Sequence, residues 1–368
     1  MIGLRVDDDI TLALREPPLD AAGFRVVERN RERLARVAAW APHAGSPERT
    51  DAFSALSLKQ YADGEAIVAW IVEHGRIVGD VDASISGDTA EMGYWLDTGA
   101  EHRGLASRSA ARLIDHLVLR RGVRRVVMRI PPWNAASRAL AKRLGLRREG
   151  LLKAAHSLGD RREDVELWGI LAAAWRRGRD VLAGGGPDFA LPIDDELELV
   201  LPHAWFTEAA VELIEHNRDR LRRWEAWAHE ESSAGSGSWY DARLRAFGRR
   251  ESLPGLVRRR GSDADLLGSI GGTVTEEGAA SVGYWVDGSV EGMGVATRAV
   301  TALIDELTGS WGMQRLWLST AVHNQRSRRL AEKLGFTAEA TCAEYQLVGG
   351  VPHDCVIYGQ TTSAPAPA

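Results

Sequence analysis

The chain has 368 residues, of which 45% are hydrophobic and 26% charged, and its formal net charge is −5. This composition is typical of an ordinary soluble protein and excludes a largely disordered chain. Because domains usually contain about 100 to 200 residues, the length predicts two domains. The acidic balance lacks the basic footprint of a nucleic-acid-binding protein, so we expect no nucleic acid among the partners.

The first residues of the chain and its two cysteines bear on the cellular compartment of the protein. Residues 1–17 carry acidic side chains and no long apolar run, so they do not resemble a signal peptide. No stretch approaches the roughly 20 apolar residues that cross a bilayer, and we expect no membrane partner. Cys342 and Cys355 are too few for a disulfide framework and lack metal-ligand spacing. We therefore expect a cytoplasmic protein without a bound metal.

The first half repeats the element order of the second half, which is given below. Its two central helices are predicted at residues 110–119 and 134–143. Residues 176–192 follow, and their small residues, glycines and prolines are typical of a linker. Residues 196–200 then alternate polar and apolar side chains, which predicts a strand. Residues 206–227 carry apolar residues at helical spacing and predict a helix.

The rest of the second half completes a mixed fold. Residues 265–274 and 280–286 predict the two strands of a hairpin. Residues 297–307 place apolar side chains on one face, as a helix on a sheet does. A short strand at 316–318, a helix at 324–333 and two closing strands complete the order β-α-β-β-β-α-β-α-β-β. This order predicts an α/β fold with a mixed central sheet flanked by helices.

The sequence also repeats itself. The pentapeptide Gly-Tyr-Trp-Leu-Asp at 93–97 recurs as Gly-Tyr-Trp-Val-Asp at 283–287, and 283 minus 93 gives an offset of 190. The same offset relates Asn134 to Asn324 without a gap. Such a duplication predicts two copies of one fold in tandem.

The repeat and the linker together define the predicted domains. We expect an N-terminal domain at 1–175, the linker at 176–192 and a C-terminal domain at 193–360. Residues 361–368 contain alternating alanine and proline, and we expect them to be disordered.

A glycine-rich loop at 291–296, Glu-Gly-Met-Gly-Val-Ala, lies between a predicted strand and a predicted helix. Glycines there let backbone N–H groups approach a ligand that side chains would block. Unpaired N–H groups at a helix start also face the positive end of the helix dipole, which suits a pyrophosphate. A glycine-rich turn is as often only a turn, so the loop alone leaves both interpretations open.

Four motifs of the second half together resemble the GNAT superfamily of N-acetyltransferases, specifically its RimJ/RimL-like branch. They are the Gly-Tyr-Trp-Val-Asp strand, the Glu-x-x-Gly-x-Ala loop, the Asn-x-x-Ser that opens the next helix and the Glu-Lys-Leu-Gly-Phe that ends it. Residues 213–227 are also similar to the Leu-Ile-x-x-Asn-Arg-x-x-Leu-x-x-Trp segment of that branch. The loop departs from the family in having Glu291 where the family has Gln or Arg.

The resemblance implies acetyl-CoA, or another acyl-CoA, as the donor and a primary amine as the acceptor. In the second half it implies that the donor is bound by Val286, Met293, Gly294, Val295, Ala296, Thr297 and Asn324. In the first half the matching positions are Leu96, Arg103, Gly104, Leu105, Ala106, Ser107 and Asn134. A backbone N–H near Val286 would stabilise the oxyanion that forms when the amine attacks the thioester.

The resemblance also implies two catalytic residues. Glu344 matches the carboxylate that RimL-type enzymes use as a general base, and Ser327 matches the serine near the leaving sulfur, where it would protonate the thiolate. A solvated strand residue is the alternative for Glu344, and a hydroxyl in the first turn of a helix is the alternative for Ser327. Many other GNAT enzymes have a tyrosine four residues after this serine, but here Ala331 occupies that position.

The two halves differ at positions that concern this chemistry. The first half has His102 where the second has Gly292, and Ala154 where the second has Glu344. We therefore expect the second half to be catalytic. The first half is either a non-catalytic module that binds CoA or docks the acceptor, or a second site in which Glu91 replaces the missing base.

The sequence thus predicts an acyl-CoA-dependent N-acetyltransferase whose acceptor is a protein N-terminus or a small amine such as an antibiotic. An acyl-CoA with a larger acyl group is the alternative donor. Because single-domain RimL-like proteins often pair, we expect a monomer with an internal pseudo-dimer.

Two groups of large side chains are predicted to have structural rather than catalytic roles. Trp224 and Trp227 are expected to pack in a core, although their helix borders the acceptor groove in the family. The arginine runs at 120–121 with 124–125, and at 258–260, are expected on the solvated surface, although an arginine near a CoA pocket can also hold the 3′-phosphate.

Overall fold

The computed structural model describes residues 1–38, 40–41, 47–158, 161–177, 188–229, 237–262 and 265–362. The chain divides into two compact units, Met1–Phe189 and Ala190–Ala368. Residues 178–187 of the predicted linker and 363–368 of the predicted tail lie outside the described residues. The two ends of the predicted linker extend into a helix and a strand, respectively.

The first unit alternates strands and helices. Its elements are β1 (Gly3–Arg5), β2 (Ile10–Leu14), α1 (Asp20–Leu34), α2 (Pro47–Asp63), β3 (Ala66–Glu73), β4 (Arg76–Ser86), β5 (Thr89–Leu96), α3 (Leu105–Leu119), β6 (Arg125–Ile130), α4 (Ala135–Arg143), β7 (Arg147–Leu158), β8 (Arg161–Leu171) and α5 (Ala172–Arg177). The strands form a sheet in the order β1-β2-β3-β4-β5-β6-β8-β7.

The second unit repeats this arrangement. Its elements are β9 (Ala190–Pro192), β10 (Leu197–Val200), α6 (Thr207–Leu221), α7 (Gly237–Gly248), β11 (Ser252–Arg259), β12 (Leu266–Glu276), β13 (Ala279–Val286), α8 (Val295–Gly309), β14 (Arg315–Ala321), α9 (Gln325–Lys333), β15 (Thr337–Val348) and β16 (Val351–Thr361). The strands follow the order β9-β10-β11-β12-β13-β14-β16-β15. Each unit is therefore the mixed α/β sheet with flanking helices that the sequence predicts.

One strand pair in the second unit opens a slot. β13 and β14 pair in parallel from Ala279 opposite Arg315 to Ser281 opposite Trp317. Beyond Ser281, β13 continues to Val286 with no further register to β14 in these described strands. Backbone groups that face such a gap lack ladder partners, so they can bind a ligand instead. β5 and β6 separate in the same way after Glu91 in the first unit.

The central helices begin earlier than predicted. α8 starts at Val295 rather than residue 297, and α3 starts at Leu105 rather than residue 110. The residue before each helix, Gly294 or Gly104, has a left-handed backbone with φ of 79° and 76°. Glycine adopts this conformation without a steric penalty, so it sets the start of the helix whatever the apolar pattern beyond it.

The predicted helix at 206–227 is too long, because α6 ends at Leu221. A 3-10 turn at Ala226–His229 follows, and the Arg218 guanidinium donates to the Ala228 carbonyl at 3.0 Å. The three-residue spacing of Trp224 and Trp227 fits a 3-10 turn as well as a helix, so periodicity could not distinguish them.

The arginine runs are not uniformly solvated, which corrects the expectation for residues 120–121 and 258–260. Arg258 is 1% exposed and pairs with Glu198 across β10 and β11 at 2.7 Å. Arg121 is half-buried, with its guanidinium 4.6 Å from the ring centre of Tyr61. Charge alone predicted solvent exposure, but an ion pair or an aromatic face can accompany a guanidinium into the interior.

Among the described helices, none combines the length and apolar content that crossing a membrane requires.

Candidate active site

A cavity of about 1350 Å³ lies in the second unit where β13 and β14 separate. Its walls come from residues 281–286 of β13, 317–321 of β14 and the loop that precedes α8. The first turns of α8 and α9 complete the wall. The cavity therefore combines free backbone groups with two helix N-termini.

The glycine loop supplies an open cradle in this wall. Gly292 and Gly294 have φ of 78° and 79°, and a Cβ added to either would meet no atom within 4 Å. The cavity-facing backbone is therefore uncovered at both positions. The first N–H groups of α8 have no partner inside the helix, and together with its dipole they suit a pyrophosphate.

The structure brings most predicted donor-binding residues of the second unit to this cavity. The residues that line it are Val286, Gly294, Val295, Ala296, Thr297 and Asn324. Met293 is not among the lining residues, and its side chain is 65% exposed.

Ser327 lies in the same cavity and has an unexpected partner. Its Oγ is 2.9 Å from the phenol oxygen of Tyr284, and its backbone N–H donates to Asn324 Oδ1 at 3.2 Å. Burial raises the pKa of Tyr284 above its ordinary value, so the phenol stays protonated at neutral pH. The position of Ala331 holds no tyrosine, but β13 brings one to the serine from a neighbouring strand.

Both halves of the chain contain the two motifs that form this pair. In the first unit the corresponding Tyr94 phenol lies 3.0 Å from Ser137 Oγ, so the pair is present twice. Gly-Tyr-Trp and Asn-x-x-Ser both recur at the offset of 190, which indicates that the two motifs act together. Sequence alone does not show that they meet in space.

Glu344, the predicted base, lies elsewhere on the unit. It is exposed, it is not among the cavity-lining residues, and its φ is 51°. It lies at an irregularity of β15, where its backbone N–H donates to Asp354 Oδ1 at 2.9 Å. Glu344 is therefore not part of the cavity wall, although Gln346 two residues later is, and the catalytic role of Glu344 stays a prediction from the resemblance.

Asn217 of the Asn-Arg motif fixes the end of β13. The side-chain amide of Asn217 donates to Asp287 Oδ1 at 3.0 Å, and its Oδ1 accepts from the Gly288 N–H at 3.0 Å. Arg220 donates to the same Oδ1 at 2.8 Å. Asn217 is 4% exposed, so these bonds are shielded from water and hold α6 against the strand end.

Arg220 continues this network to the glycine loop. Its guanidinium bonds the Val286 carbonyl and pairs with Glu291 at 2.5 Å. In the first unit Arg33 pairs with Glu101 at 2.9 Å in the same manner. Glu291, which departs from the family pattern, therefore has a local partner in α6. Arg326 also contacts it from α9.

Trp224 and Trp227 line the cavity and are half-buried, which corrects the interpretation as core residues. The ring of Trp227 lies 6.3 Å from that of Trp285 at the end of β13. Glu225, between the two tryptophans, lines the cavity as well, and its Oε2 accepts from Trp227 Nε1 at 2.9 Å. Burial raises the pKa of Glu225, and the tryptophan hydrogen bond only partly offsets that effect.

The first unit keeps part of this arrangement. Gly104 precedes α3 as Gly294 precedes α8, and Asn134 caps α4 by accepting from the Ser137 N–H at 3.1 Å. Leu96 ends β5, and the first turn of α3 holds Leu105, Ala106 and Ser107. Arg103, predicted among the donor-binding positions, pairs with Glu73 through two bonds of 2.6 and 2.8 Å.

The space beside β4 in the first unit is filled. Trp70 is fully buried against Gly23 of α1, and the Arg15 guanidinium lies 3.6 Å above its ring centre. Arg15 also pairs with the buried Asp80 at 2.6 Å.

The corresponding space in the second unit is open. Trp70 pairs with Asp80 across β3 and β4, as Leu256 pairs with Ser269 across β11 and β12. Leu256 and Ser269 line the cavity of the second unit. Trp70 and the Arg15–Asp80 ion pair therefore fill, in the first unit, the space that is part of the open cavity in the second unit.

The described residues contain no cluster of three or more His, Cys, Asp or Glu that could hold a metal ion.

A model of the acetyltransferase (GNAT) domain matches this chain twice, over residues 11–147 and 203–337. These matches cover more than half of the chain, and the chain belongs to the GNAT acetyltransferase family. The resemblance and the tandem duplication are thereby confirmed. The chain is an acetyltransferase of this family.

Two relatives carry names that concern ribosomal proteins. The chain is 29% identical over 178 residues to YdaF of Bacillus subtilis, whose name assigns it provisionally to the ribosomal N-acetyltransferases; the match covers 46% of this chain and 93% of YdaF. It is 28% identical over 148 residues to the ribosomal-protein-serine acetyltransferase of Escherichia coli, with 39% of this chain and 83% of that protein covered.

One solved structure is the microcin C7 self-immunity acetyltransferase MccE in complex with acetyl-CoA and AMP. It matches with 22% identity and a TM-score of 0.43, covering 46% of this chain and 94% of MccE.

Proposed function

We propose that the second unit transfers the acetyl group of acetyl-CoA to a primary amine, either a protein N-terminus or a small molecule. The observation that carries this proposal is the Tyr284–Ser327 pair beside the open slot between β13 and β14. A thioester in this slot would lie between backbone N–H donors and a pair of hydroxyl groups. That is the arrangement that acyl transfer requires.

The proposed steps assign each group a task. The N–H groups at the start of α8 bind the pyrophosphate, and the separated strands hold the pantetheine arm between them. The amine nitrogen attacks the thioester carbonyl, and the N–H of Val286 stabilises the oxyanion. When the C–S bond breaks, Ser327 protonates the thiolate, and Tyr284 replaces the proton of Ser327 through their 2.9 Å hydrogen bond.

For the first unit we propose a non-catalytic role, as a CoA-binding or acceptor-docking module. The observation that favours it is the packing of Trp70 and the Arg15–Asp80 ion pair into the space that is open in the second unit. The phosphate-binding end retains Gly104 and the helix start. This combination allows donor binding without acceptor binding.

One named relative carries the provisional name of a ribosomal N-acetyltransferase and the other is a ribosomal-protein-serine acetyltransferase, which supports a protein as the acceptor. The test is an acceptor panel with acetyl-CoA: peptides that begin with serine or alanine, an aminoglycoside, 2-phenylethylamine and tryptamine. We expect release of free CoA with at least one member, together with an acetylated product in the mass spectrum. Binding of acetyl-CoA without an acetylated product from any member would contradict the proposal.

A further inference from the structure

Glu225 is a carboxylate on the aromatic side of the cavity that the proposed chemistry has not used. It follows α6, lies between Trp224 and Trp227, and lines the cavity with both. Trp227 contacts Trp285, the neighbour of Val286, with 6.3 Å between the ring centres. Glu225 therefore lies on the side of the cavity that Trp227 connects to the end of β13. The thioester carbonyl would lie at that strand end.

The segment that carries Glu225 is held from both sides. Gln346 of β15 donates to the Trp224 carbonyl at 3.2 Å, and Arg218 donates to the Ala228 carbonyl at 3.0 Å. Trp227 Nε1 fixes the carboxylate itself at 2.9 Å. A side chain restrained in this way is positioned for a ligand rather than left to sample solvent.

Glu225 forms no ion pair with the residues that the structure describes. Among the described residues, its carboxylate accepts one hydrogen bond, from the neutral Nε1–H of Trp227. Two cations of the same cavity, Arg220 and Arg326, are paired with Glu291. The other basic side chains that line the cavity are Arg223, Arg243, His323, Arg329 and Lys333, and the tyrosines Tyr240 and Tyr284 line it as well.

A half-buried carboxylate beside indole rings suits one class of ligand. Removing a carboxylate from water is costly unless a cation accompanies it, and an ammonium group is also attracted to the faces of tryptophan. An alkyl amine arrives at neutral pH as its ammonium form, which cannot attack a carbonyl until it loses a proton. The cavity therefore needs a group that binds the cation and takes that proton.

We propose that Glu225 binds the ammonium group of the acceptor and accepts its proton before the nitrogen attacks the thioester. This inference rests on the proposed acetyl transfer, and it names protonated primary alkyl amines as the acceptor class. The protonated carboxyl returns its proton to solvent. The nitrogen forms the amide bond and the C–S bond breaks. The second amine proton passes to solvent, and solvent returns a proton to Tyr284 after Ser327 has protonated the CoA sulfur.

The first unit has no equivalent carboxylate. Asn217 and Asn30 are related by an offset of 187, which places Ala38 opposite Glu225. The copy whose acceptor space is filled thus also lacks the group that would bind an ammonium.

The test compares Glu225→Gln with Glu344→Gln in the full chain, using the best acceptor of the panel. We expect Glu225→Gln to lower kcat/KM for the amine about 100-fold or more, which is within the usual range for a general base, while the KM for acetyl-CoA changes little. Glu225→Asp should restore part of the rate. Trp227→Phe removes the hydrogen bond that favours the charged carboxylate, so the acid limb of the pH profile should move to higher pH.

The outcomes separate two failures. If the wild-type chain releases no CoA with any amine, the proposed function fails and this inference fails with it. If the wild type is active while Glu225→Gln retains its rate and its pH profile, only the assignment of Glu225 is overturned. A 100-fold loss in Glu344→Gln with a normal Glu225→Gln would instead assign the base to Glu344.

Discussion

Asp82 in the first unit shows how a single residue can reverse the usual pH dependence of a carboxylate. Burial raises the pKa of Asp82 to about 7, and the neighbouring Asp80 and Glu91 add to this effect while Arg15 opposes it. A group with a raised folded pKa binds a proton in the folded state that the unfolded chain releases. Its stabilising effect is therefore present at low pH and is lost as the pH rises towards 7.

We predict that Asp82→Asn stabilises the first unit at pH 8 by about 2 kcal/mol, after about half of the full linkage effect is discounted for screening and for coupling to Asp80. The physical reason is that asparagine never acquires the buried negative charge. Calorimetric unfolding of the full chain should show a gap between variant and wild type that narrows by pH 5. An equal difference at both pH values would contradict the raised pKa.

Residue chemistry was only partly predictable from sequence. Asn324 and Gly294 belong to local motifs that the sequence shows directly, and both line the cavity. Tyr284 and Glu225, by contrast, owe their proposed roles to contacts between separate elements or to a turn that the helix pattern did not show. No spacing rule along the chain could show those contacts.

At the scale of elements, the start of α8 is the feature on which donor binding depends. Gly294 has φ of 79°, and a side chain there is strained even though the space around its Cβ is open. The strain would be relieved by a shift of the first turn, which would misdirect the N–H groups that are proposed to bind the pyrophosphate.

We predict that Gly294→Val raises the KM for acetyl-CoA about tenfold and costs about 1–2 kcal/mol of stability. Gly312→Val is the matched control, because Gly312 near the other end of α8 has φ of 69° and equally open surroundings. Steady-state kinetics and thermal unfolding of both variants separate the two effects. Equal KM values in the two variants would show that the loop does not bind the donor.

The order of elements followed from periodicity, but the separation of β13 from β14 did not. Both strands have ordinary strand patterns, and the register stops after Ser281 opposite Trp317. The clamp of Asn217 and Arg220 on the strand end is consistent with the separation, and it depends on buried side-chain bonds between elements far apart in sequence. The predicted helix at 206–227 was also too long. The chain leaves the helix after Leu221, and Arg218 binds the Ala228 carbonyl of the turn that follows, a contact that apolar spacing does not predict.

At the scale of the whole molecule, one fold occurs twice, and the two units differ in the side chains at corresponding positions. The duplication was evident from the offset of 190, and the family matches confirm it. The Tyr–Ser pair and the glycine before the central helix are common to both units. The second unit has an open cavity lined by Glu225, whereas the first has Trp70 and an ion pair at the corresponding strand positions.

The expected monomer with an internal pseudo-dimer belongs to this scale and stays a prediction. Sedimentation equilibrium of the full chain should give the mass of one chain, 40.2 kDa. A stable dimer would contradict it.

The central claim is that the second unit alone carries out acetyl transfer, and the matched tyrosines test it most directly. Tyr284 and Tyr94 make the same hydrogen bond to Ser327 and Ser137, at 2.9 and 3.0 Å, so Tyr→Phe at each position removes the same group. The measurement is kcat for acetyl transfer by each full-length variant. We predict that Tyr284→Phe lowers kcat about tenfold or more and that Tyr94→Phe leaves it within about twofold of the wild type. Equal losses in the two variants, or a loss confined to Tyr94→Phe, would contradict the account.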